Sequence, residues 1–232
     1  MQKFPFATDH RRLRLSRILQ PEFRPLLGLL YWPIFGFLFY YVERLRPVEH
    51  YYEVYIPLDD YIPFLEIFLL PYLFWFVFLF GIHLYTVFFD LRAYRGLIRF
   101  VIISYSIALV IFFLWPTVQN LRPDVLPRDN FLSRFMAAFY QFDTNTNVCP
   151  SLHVVGSAAV WCTSWHIPRF RTPGWRVFFT VSTILISFAT VFLKQHSLID
   201  VIVAVPVCTV SYLLSFGRFG LRYRIAKPPI KS

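Results

Sequence analysis

The sequence predicts an all-α integral membrane protein, built as a bundle of six transmembrane helices. Hydrophobic residues make up 57% of the 232 residues and charged residues only 16%, against about 25% charged residues in an ordinary soluble domain. Phenylalanine alone contributes 28 residues, more apolar surface than one soluble core of this size can bury. Long apolar runs separate the charges. The composition therefore argues against a soluble enzyme, a disordered chain and a disulfide-stabilised scaffold.

Six apolar runs are predicted to be transmembrane helices, because a hydrocarbon core about 30 Å thick needs roughly 20 apolar residues, with a range of about 17–25. Their predicted limits are about 26–42, 67–89, 97–115, 150–166, 177–193 and 198–216. Backbone groups in lipid must be satisfied within the segment, so the runs should be helical. They lack the alternation of barrel strands. The fourth and fifth runs are short or interrupted, which leaves their ends the least defined.

Prolines mark several of these boundaries. The second run follows the proline-rich stretch 57–63, the third ends at Pro116, and the fourth opens with Pro150. Proline lacks the N–H that a helix interior needs and is tolerated in the first turn, so it indicates where helices start and stop. The segment 116–149, between the third and fourth runs, is predicted to be an external lid that contains a short amphipathic helix.

The basic residues predict the orientation of the bundle. Seventeen of the 23 Lys and Arg residues fall on the side that holds both tails and the second-to-third and fourth-to-fifth loops. The positive-inside rule therefore places both termini in the cytoplasm. The predicted organisation is a basic cytoplasmic segment 1–25, a membrane catalytic domain 26–217 and a basic cytoplasmic tail 218–232.

Charge and cysteine content limit the partners. The net charge of +10 could indicate nucleic-acid binding, but no folded basic module is visible, so we expect no nucleic acid. Cys149, Cys162 and Cys208 have no metal-binding spacing, and three cysteines make no complete disulfide framework. The first 25 residues are basic and polar, and we expect no cleaved signal peptide. The expected partner at this point is the plasma membrane bilayer, and the oligomeric state is open.

Three polar segments are predicted to meet at the external face of the membrane. The third run exits through residues 115–123, the fourth opens at 149–153, and the fifth and sixth meet at 194–200. Ionisable residues at span ends are informative because burying them in lipid is costly. The spans were assigned from hydropathy and basic residues alone. The agreement of the three segments is therefore independent support for a functional site at this face.

The residue types in these segments indicate phosphoryl transfer. His196 and Asp200 are four residues apart, so on a helix they share a face, and the carboxylate can fix the tautomer of the imidazole. The other ring nitrogen is then free to act as base or nucleophile. His153 lies in another helix, whose N-terminus at Pro150 favours a phosphate group. The candidate phosphate-binding residues are Arg122, Lys194 and Ser151.

Other interpretations of these residues stay open. The two histidines could be interfacial side chains satisfied by water or backbone, and together with Asp200 they could ligate zinc. No HExxH motif or further ligand cluster accompanies them, so we expect neither a metal nor a cofactor. Arg122 and Lys194 could be snorkelling interface residues, and Ser151 could do no more than begin a helix.

Several other polar residues are expected to be structural. Glu66 and His83 lie within the second run and should form a polar contact between helices or line the substrate cavity. Asp59 and Asp60 are expected in a surface turn. Four charged residues of the segment 116–149 are expected to be solvated, namely Arg128, Asp129, Arg134 and Asp143.

The order and spacing of the motifs resemble a known family. Pro-Ser-Leu-His at 150–153, followed by His-x-x-x-Asp at 196–200, resembles the second and third motifs of the type 2 phosphatidic acid phosphatase (PAP2) superfamily. The histidines are 43 residues apart and share a predicted membrane face. The resemblance implies a six-helix enzyme acting on lipid phosphates. It also implies that His196 forms a phosphohistidine, Asp200 orients it and His153 protonates the leaving group.

The sequence departs from the family's pattern at two motifs. The first motif is Lys, six residues and then Arg-Pro; the pair at 122–123 fits its end, but Trp115 occupies the Lys position. The third motif usually begins Ser-Arg, and here these positions are Ala189 and Thr190. Two phosphate-binding cations of the standard phosphatase are therefore missing. Lys194 is the candidate to compensate for one of them.

The missing cations leave three hypotheses for function. The loss of these two cations resembles the motifs of the sphingomyelin synthase and inositol phosphorylceramide synthase branch, and the stretch 57–60 also resembles that branch. The preferred hypothesis is a lipid-phosphate phosphatase. The second is a headgroup phosphotransferase with a lipid alcohol as acceptor, as in that branch. The third is a non-catalytic transporter or scramblase. Phosphatidic acid, phosphatidylglycerol phosphate and undecaprenyl pyrophosphate all fit as substrates of a phosphatase.

Overall fold

The computed structural model describes residues 18–21 and 23–217. Most of the predicted N-terminal segment and the whole of the predicted tail 218–232 lie outside the described residues. Within them the chain is mostly helical, with seven α-helices and two short strands. The helices are α1 (Tyr31–Tyr40), α2 (Leu69–Phe89), α3 (Leu91–Leu114), α4 (Phe131–Phe142), α5 (Leu152–Ser164), α6 (Pro173–Phe192) and α7 (Leu198–Ser215), and the strands are β1 (Tyr52–Glu53) and β2 (Thr117–Val118).

All six predicted apolar runs are helical, and five are long and apolar enough to cross a membrane. These five segments are Arg24–Leu45, Glu66–Phe89, Leu91–Leu114, Pro173–Phe192 and Leu198–Ser215. The first of them combines a 3₁₀ turn, α1 and a final π turn over Tyr41–Leu45. The remaining predicted span, the fourth in chain order, is α5, which is shorter. The additional helix α4 is the amphipathic helix predicted within 116–149, which is called the lid segment below.

Helix α5 is short because it lies at the centre of the bundle. Its 13 residues span about 20 Å at about 1.5 Å per residue, less than the roughly 30 Å of a hydrocarbon core. It packs against α2, α3, α6 and α7, and Val155, Ala159 and Val160 are fully buried. A helix enclosed by other helices in this way has protein neighbours for its polar groups and need not match the full thickness of the hydrocarbon core.

Capping moves the start of α3 away from the limit that hydropathy predicts. The sequence predicts a basic loop before residue 97, but α3 begins at Leu91 and only Asp90 separates it from α2. The Asp90 carboxylate accepts a hydrogen bond of 3.0 Å from the Ala93 amide. A carboxylate at this position stabilises the helix start, so the arginines at 92, 95 and 99 become part of the first helical turns.

The described ends of the chain lie at one end of the bundle. Near the N-terminus, Phe23 and Leu26 pack with Leu91 and Tyr94 at the start of α3. The ring of Phe216, after α7, lies against Gly96. The lid segment lies at the opposite end, which is called the lid end below. This arrangement fits an even number of crossings, and the cytoplasmic position of the termini stays a prediction.

Two buried clusters hold the bundle together. The larger joins α1, α2, α3, α5, α6 and α7 around the aromatic and aliphatic side chains of α3 and α5. The smaller lies at the lid end, where Met136 of α4 packs against Tyr72 and Leu69 of α2 and Leu193 after α6. The lid segment is therefore packed onto the bundle through its own amphipathic helix.

Polar contacts at the lid end join segments that are distant in sequence. Strands β1 and β2 pair in parallel, two elements that the prediction of an all-α fold missed. Arg128 of the lid segment forms an ion pair of 2.8 Å with Glu66, which also accepts a hydrogen bond from Asn130. Glu66 thus contacts the lid segment instead of another span, and Arg128 is not simply solvated as predicted.

The close packing of α5 provides a test of the fold. A Cβ atom at Gly156 would lie 2.7 Å from the Tyr105 hydroxyl and 3.0 Å from Trp75 Nε1, whereas one at Gly81 would have no neighbour within 4 Å. We expect Gly156→Ala to lower the free energy of unfolding by about 1–3 kcal/mol through overpacking. Gly81→Ala, also within a helix, should not lower it. Unfolding of both variants in detergent measures the difference, and equal stability would contradict the packing of α5.

Candidate active site

A cavity of about 340 Å³ at the lid end contains both predicted histidines. Its walls come from the end of α1, the end of the lid segment, the start of α5 and the turn between α6 and α7. The polar side chains that line it with His153 and His196 are Glu43, Arg44, Asp143, Thr144, Thr146, Asn147 and Gln195. The three segments predicted to converge do meet one another beside this cavity, since Ser151 N lies 3.3 Å from Asp200 O and Gln119 donates to Lys194 O.

The pairing of His196 with Asp200 depends on the cap of α7. His196 Nδ1 lies 3.0 Å from Asp200 Oδ2, and the Ser197 amide donates to the same oxygen at 3.1 Å. Helix α7 begins at Leu198, so His196 precedes the helix and does not share a helical face with Asp200 as the spacing predicts. With Asp200 ionised, Nδ1 carries the proton and Nε2 is left without a hydrogen bond among the described residues.

His153 lies between aromatic rings and faces His196. It is the second residue of α5, which begins at Leu152 with Ser151 as its N-cap, so Pro150 precedes the helix instead of starting it. The His153 ring stacks on Tyr72, with ring centroids 4.2 Å apart, and lies 6.0 Å from the His196 ring. Its Nε2 is buried without a hydrogen-bond partner among the described residues. Both imidazoles can therefore contact one group in the cavity.

Asp59 is a buried residue that sequence analysis placed in a surface turn. Its side chain is only 1% exposed. It accepts hydrogen bonds from Ser197 Oγ at 2.5 Å and from the Leu198 amide at 2.8 Å. The prediction for Asp59 was wrong because its partners lie 138 and 139 residues away, beyond the reach of any local pattern. Asp60 is exposed, as predicted.

Lys194 is directed to the Asp59 segment and does not line the cavity. Its ammonium donates to the Asp59 carbonyl oxygen at 2.7 Å. Burial lowers the pKa of Lys194, and the carboxylates of Asp59 and Asp60 oppose that shift. The residue also has a φ of 51°, a left-handed conformation that turns the chain sharply between α6 and α7. A phosphate contact of Lys194 stays a prediction.

Arg122 contacts the wall of the cavity from behind. Its guanidinium donates to Gln195 Oε1 at 2.5 Å, to the Asp143 carbonyl oxygen at 2.6 Å and to the Tyr140 carbonyl oxygen at 3.0 Å. Burial lowers the pKa of Arg122, while nearby Asp143 raises it. Arg122 is not among the residues that line the cavity, so its predicted contact with phosphate stays untested. Its contacts instead position Gln195, the neighbour of His196.

Ser151 connects the starts of two helices. It is fully buried, and its amide donates to the Asp200 carbonyl oxygen at 3.3 Å. Its hydroxyl has no hydrogen-bond partner among the described residues, and the residue does not line the cavity. The structure therefore gives Ser151 a place behind His153, and its predicted contact with phosphate also stays untested.

Two acceptors of the site, Asp143 and Glu43, are not predicted from the sequence. Asp143 accepts hydrogen bonds from the Tyr72 hydroxyl at 2.6 Å and from Gln195 Nε2 at 3.0 Å, although it was predicted to be solvated. Glu43 accepts from Asn147 at 2.7 Å. The hydroxyls of Thr144 and Thr146 also donate to Glu43. These contacts fix the end of the lid segment against α1 and α2.

The zinc alternative gains no support from the described residues. Among them, no group of three or more His, Cys, Asp or Glu side chains is placed to hold a metal ion. The cysteine beside the site, Cys149, is also an unfavourable ligand, because burial raises the pKa of its thiol to about 12, with Asp200 adding to the shift. A cysteine binds a metal ion as the thiolate, and a raised pKa makes the thiolate scarce.

Comparison with known proteins identifies the family. A model of the PAP2 superfamily matches residues 97–223, more than half of the chain. The chain belongs to the PAP2 superfamily. The matched region contains both histidines, Asp200 and Arg122, whereas α1 and Asp59 lie outside it. No curated protein and no solved structure gives a significant match, and the resemblance to the sphingomyelin synthase branch stays a prediction.

Membership defines the type of enzyme. PAP2 superfamily members are generally phosphatases or related phosphotransferases. With five helices long and apolar enough to cross a membrane, the chain is a membrane protein of this phosphatase or phosphotransferase type.

The buried Asp59 carboxylate provides a test of how the α7 start is held. Asp59→Asn removes the charge that accepts from Ser197 and Leu198, and we expect the free energy of unfolding to fall by roughly 1–3 kcal/mol. Asp60→Asn is the matched control, because Asp60 is exposed and, among the described residues, its side chain accepts a hydrogen bond from Tyr55 alone. Thermal unfolding in detergent compares the two. An Asp59→Asn protein as stable as the Asp60→Asn protein would contradict the role assigned to Asp59.

Proposed function

We propose that the protein is an integral membrane lipid-phosphate phosphatase that works through a phosphohistidine on His196. The arrangement of two histidines in one cavity carries the proposal. Asp200 holds Nδ1 of His196 at 3.0 Å, which leaves Nε2 as the nucleophilic nitrogen. The second ring, His153, lies 6.0 Å away in the same cavity, within reach of the same phosphoryl group.

In the first half-reaction, the Nε2 lone pair of His196 attacks phosphorus in line with the ester oxygen. The P–N bond forms as the P–O bond to the lipid breaks, and protonated His153 donates its proton to the leaving oxygen. Asp200 stabilises the positive charge that develops on the His196 ring. The products are the lipid alcohol and the phosphohistidine.

In the second half-reaction, a water molecule attacks the phosphorus of the phosphohistidine. His153, now neutral, accepts a proton from that water. The P–N bond breaks, inorganic phosphate leaves, and both histidines return to their starting states. His153 thus acts first as an acid and then as a base, because the second step is the reverse of the first with water in place of the lipid alcohol.

The proposed membrane side is the extracytoplasmic face of the plasma membrane. The basic residues support it, with seventeen of the 23 on the opposite side. We propose that the lipid enters sideways from the outer leaflet.

The charge balance of the cavity favours a second candidate, a headgroup phosphotransferase. The cavity is lined by two carboxylates, Glu43 and Asp143, and one arginine, Arg44. A phosphodiester has one negative charge, whereas a phosphomonoester approaches two, so fewer cations are needed to bind the diester. In this candidate a lipid alcohol replaces water in the second half-reaction, and the histidines keep their roles.

The nucleophile assignment is tested by His196→Ala. We expect release of inorganic phosphate from lipid phosphates in detergent to fall by at least about 10³-fold, with the melting temperature of the variant retained. His50→Ala is the matched control, because His50 is exposed and its ring packs against Tyr52. Full activity of a folded His196→Ala protein would overturn the proposal.

Added acceptor lipids separate the two candidates. A phosphatase releases inorganic phosphate at a rate that does not depend on diacylglycerol or ceramide. A phosphotransferase forms a new phospholipid only when such an acceptor is present. We expect acceptor-independent phosphate release, measured beside lipid products by chromatography. Lipid or solute flux that survives loss of both histidines, without either reaction, would instead favour a transporter or scramblase.

A further inference from the structure

Arg44 stands apart from the other basic residues near the site. It lies in the π turn Tyr41–Leu45 that follows α1. It lines the same cavity as His153 and His196, and no other Lys or Arg does so among the described residues. Arg122 and Lys194, the two cations predicted from the sequence, do not line the cavity, and their side chains already donate to protein oxygens.

The Arg44 guanidinium has hydrogen-bonding capacity to spare. One nitrogen, Nη2, donates to the Phe142 carbonyl oxygen at 3.1 Å, and the side chain forms no ion pair with any described residue. A guanidinium has five N–H groups. Its neighbour Glu43 does not compete for them, because both Glu43 oxygens accept hydrogen bonds from the lid segment.

The cavity needs a cation to accept a phosphoryl group. Two carboxylates line it and would repel an anionic ligand. Arg122, which lies behind the cavity wall, offsets the charge of Asp143. The negative charge of an entering ligand therefore needs a different cation. Arginine matches phosphate oxygens with a planar pair of N–H donors.

We propose that Arg44 binds the phosphoryl oxygens of the substrate, in place of the cations missing from the standard motifs. Trp115, at the Lys position of the first motif, packs against Tyr52, and Thr190, at the Arg position of the third, is buried in α6. Helix α1 lies outside the region matched by the family model, so this cation comes from a part of the chain that the family motifs do not cover. The inference rests on the proposed function and names the contact that binds the phosphoryl group.

The test compares Arg44→Gln, Arg44→Lys and Arg46→Gln. Arg46 is a matched control two residues away. It donates to the Phe112 carbonyl oxygen, lies over the Phe113 ring and does not line the cavity. The probe is inorganic phosphate, measured first by the rise in melting temperature that it causes in the purified proteins and then as a competitive inhibitor of turnover.

We expect phosphate to raise the melting temperature of the wild-type and Arg46→Gln proteins, but not of Arg44→Gln. In turnover assays, Arg44→Gln should raise both KM and the inhibition constant of phosphate by about tenfold or more. Arg44→Lys keeps the charge but lacks the planar pair of donors, so its KM and inhibition constant should lie between those of the wild type and Arg44→Gln. Arg46→Gln should match the wild type.

Two outcomes would overturn the inference. One is a phosphate-induced shift that is equal in all the proteins or absent from all of them. The other is an Arg44→Gln protein with a reduced kcat and an unchanged inhibition constant, which would assign Arg44 a structural contact with Phe142 only. Because the melting measurement needs no turnover, it distinguishes this failure from that of the phosphatase proposal. A wild-type protein that binds phosphate through Arg44 but releases none would leave the binding role intact.

Discussion

The carboxylate of Asp200 serves the start of a helix and the ring of a histidine at the same time. One oxygen accepts from the Ser197 amide and pairs with His196 Nδ1, and the residue is fully buried. A buried carboxylate that loses a donor cannot turn to water, so the loss costs free energy. The position and tautomer of His196 therefore depend on the correct formation of the start of α7. Asp59 adds to this constraint by accepting from Ser197 Oγ and the Leu198 amide.

Polar contacts hold the turn between α6 and α7 from several directions. Gln119 donates to the Lys194 carbonyl oxygen, Arg122 donates to Gln195, and Lys194 donates to the 57–61 segment. The turn consequently has partners from both the lid segment and the segment before α2. Such contacts hold His196 in place, and in the proposed phosphatase mechanism this lowers the cost of orienting the reacting groups.

Packing by small residues places the second histidine. Helix α5 contains Gly156, Ser157, Ala158 and Ala159 in succession, and small side chains let neighbouring helices approach closely. Four helices surround it as a result, and His153 is held at its start between Tyr72 and Trp75. By contrast, only 11% of the residues in the most apolar stretch of the span that carries Arg44 are buried inside the protein, the lowest share among the five candidate spans. One wall of the cavity thus lies in the closely packed centre of the bundle, and the other belongs to the span with the lowest share of buried residues, where local opening costs less free energy.

The sequence by itself determined the helices, the meeting of three polar segments and the His196–Asp200 pair. Hydropathy and residue spacing are local properties, and lipid leaves the backbone of an apolar run few alternatives to a helix. Helix ends are less well predicted, because caps such as Asp90 and Ser197 depend on a few specific hydrogen bonds and not on a repeating pattern. Only the tertiary structure decided how the charged side chains point. Lys194 turns to a carbonyl oxygen 135 residues away, Asp59 is buried, and Arg44 lines the cavity. A polar side chain selects partners by distance in space, and chain folding brings those partners from segments that no local pattern connects.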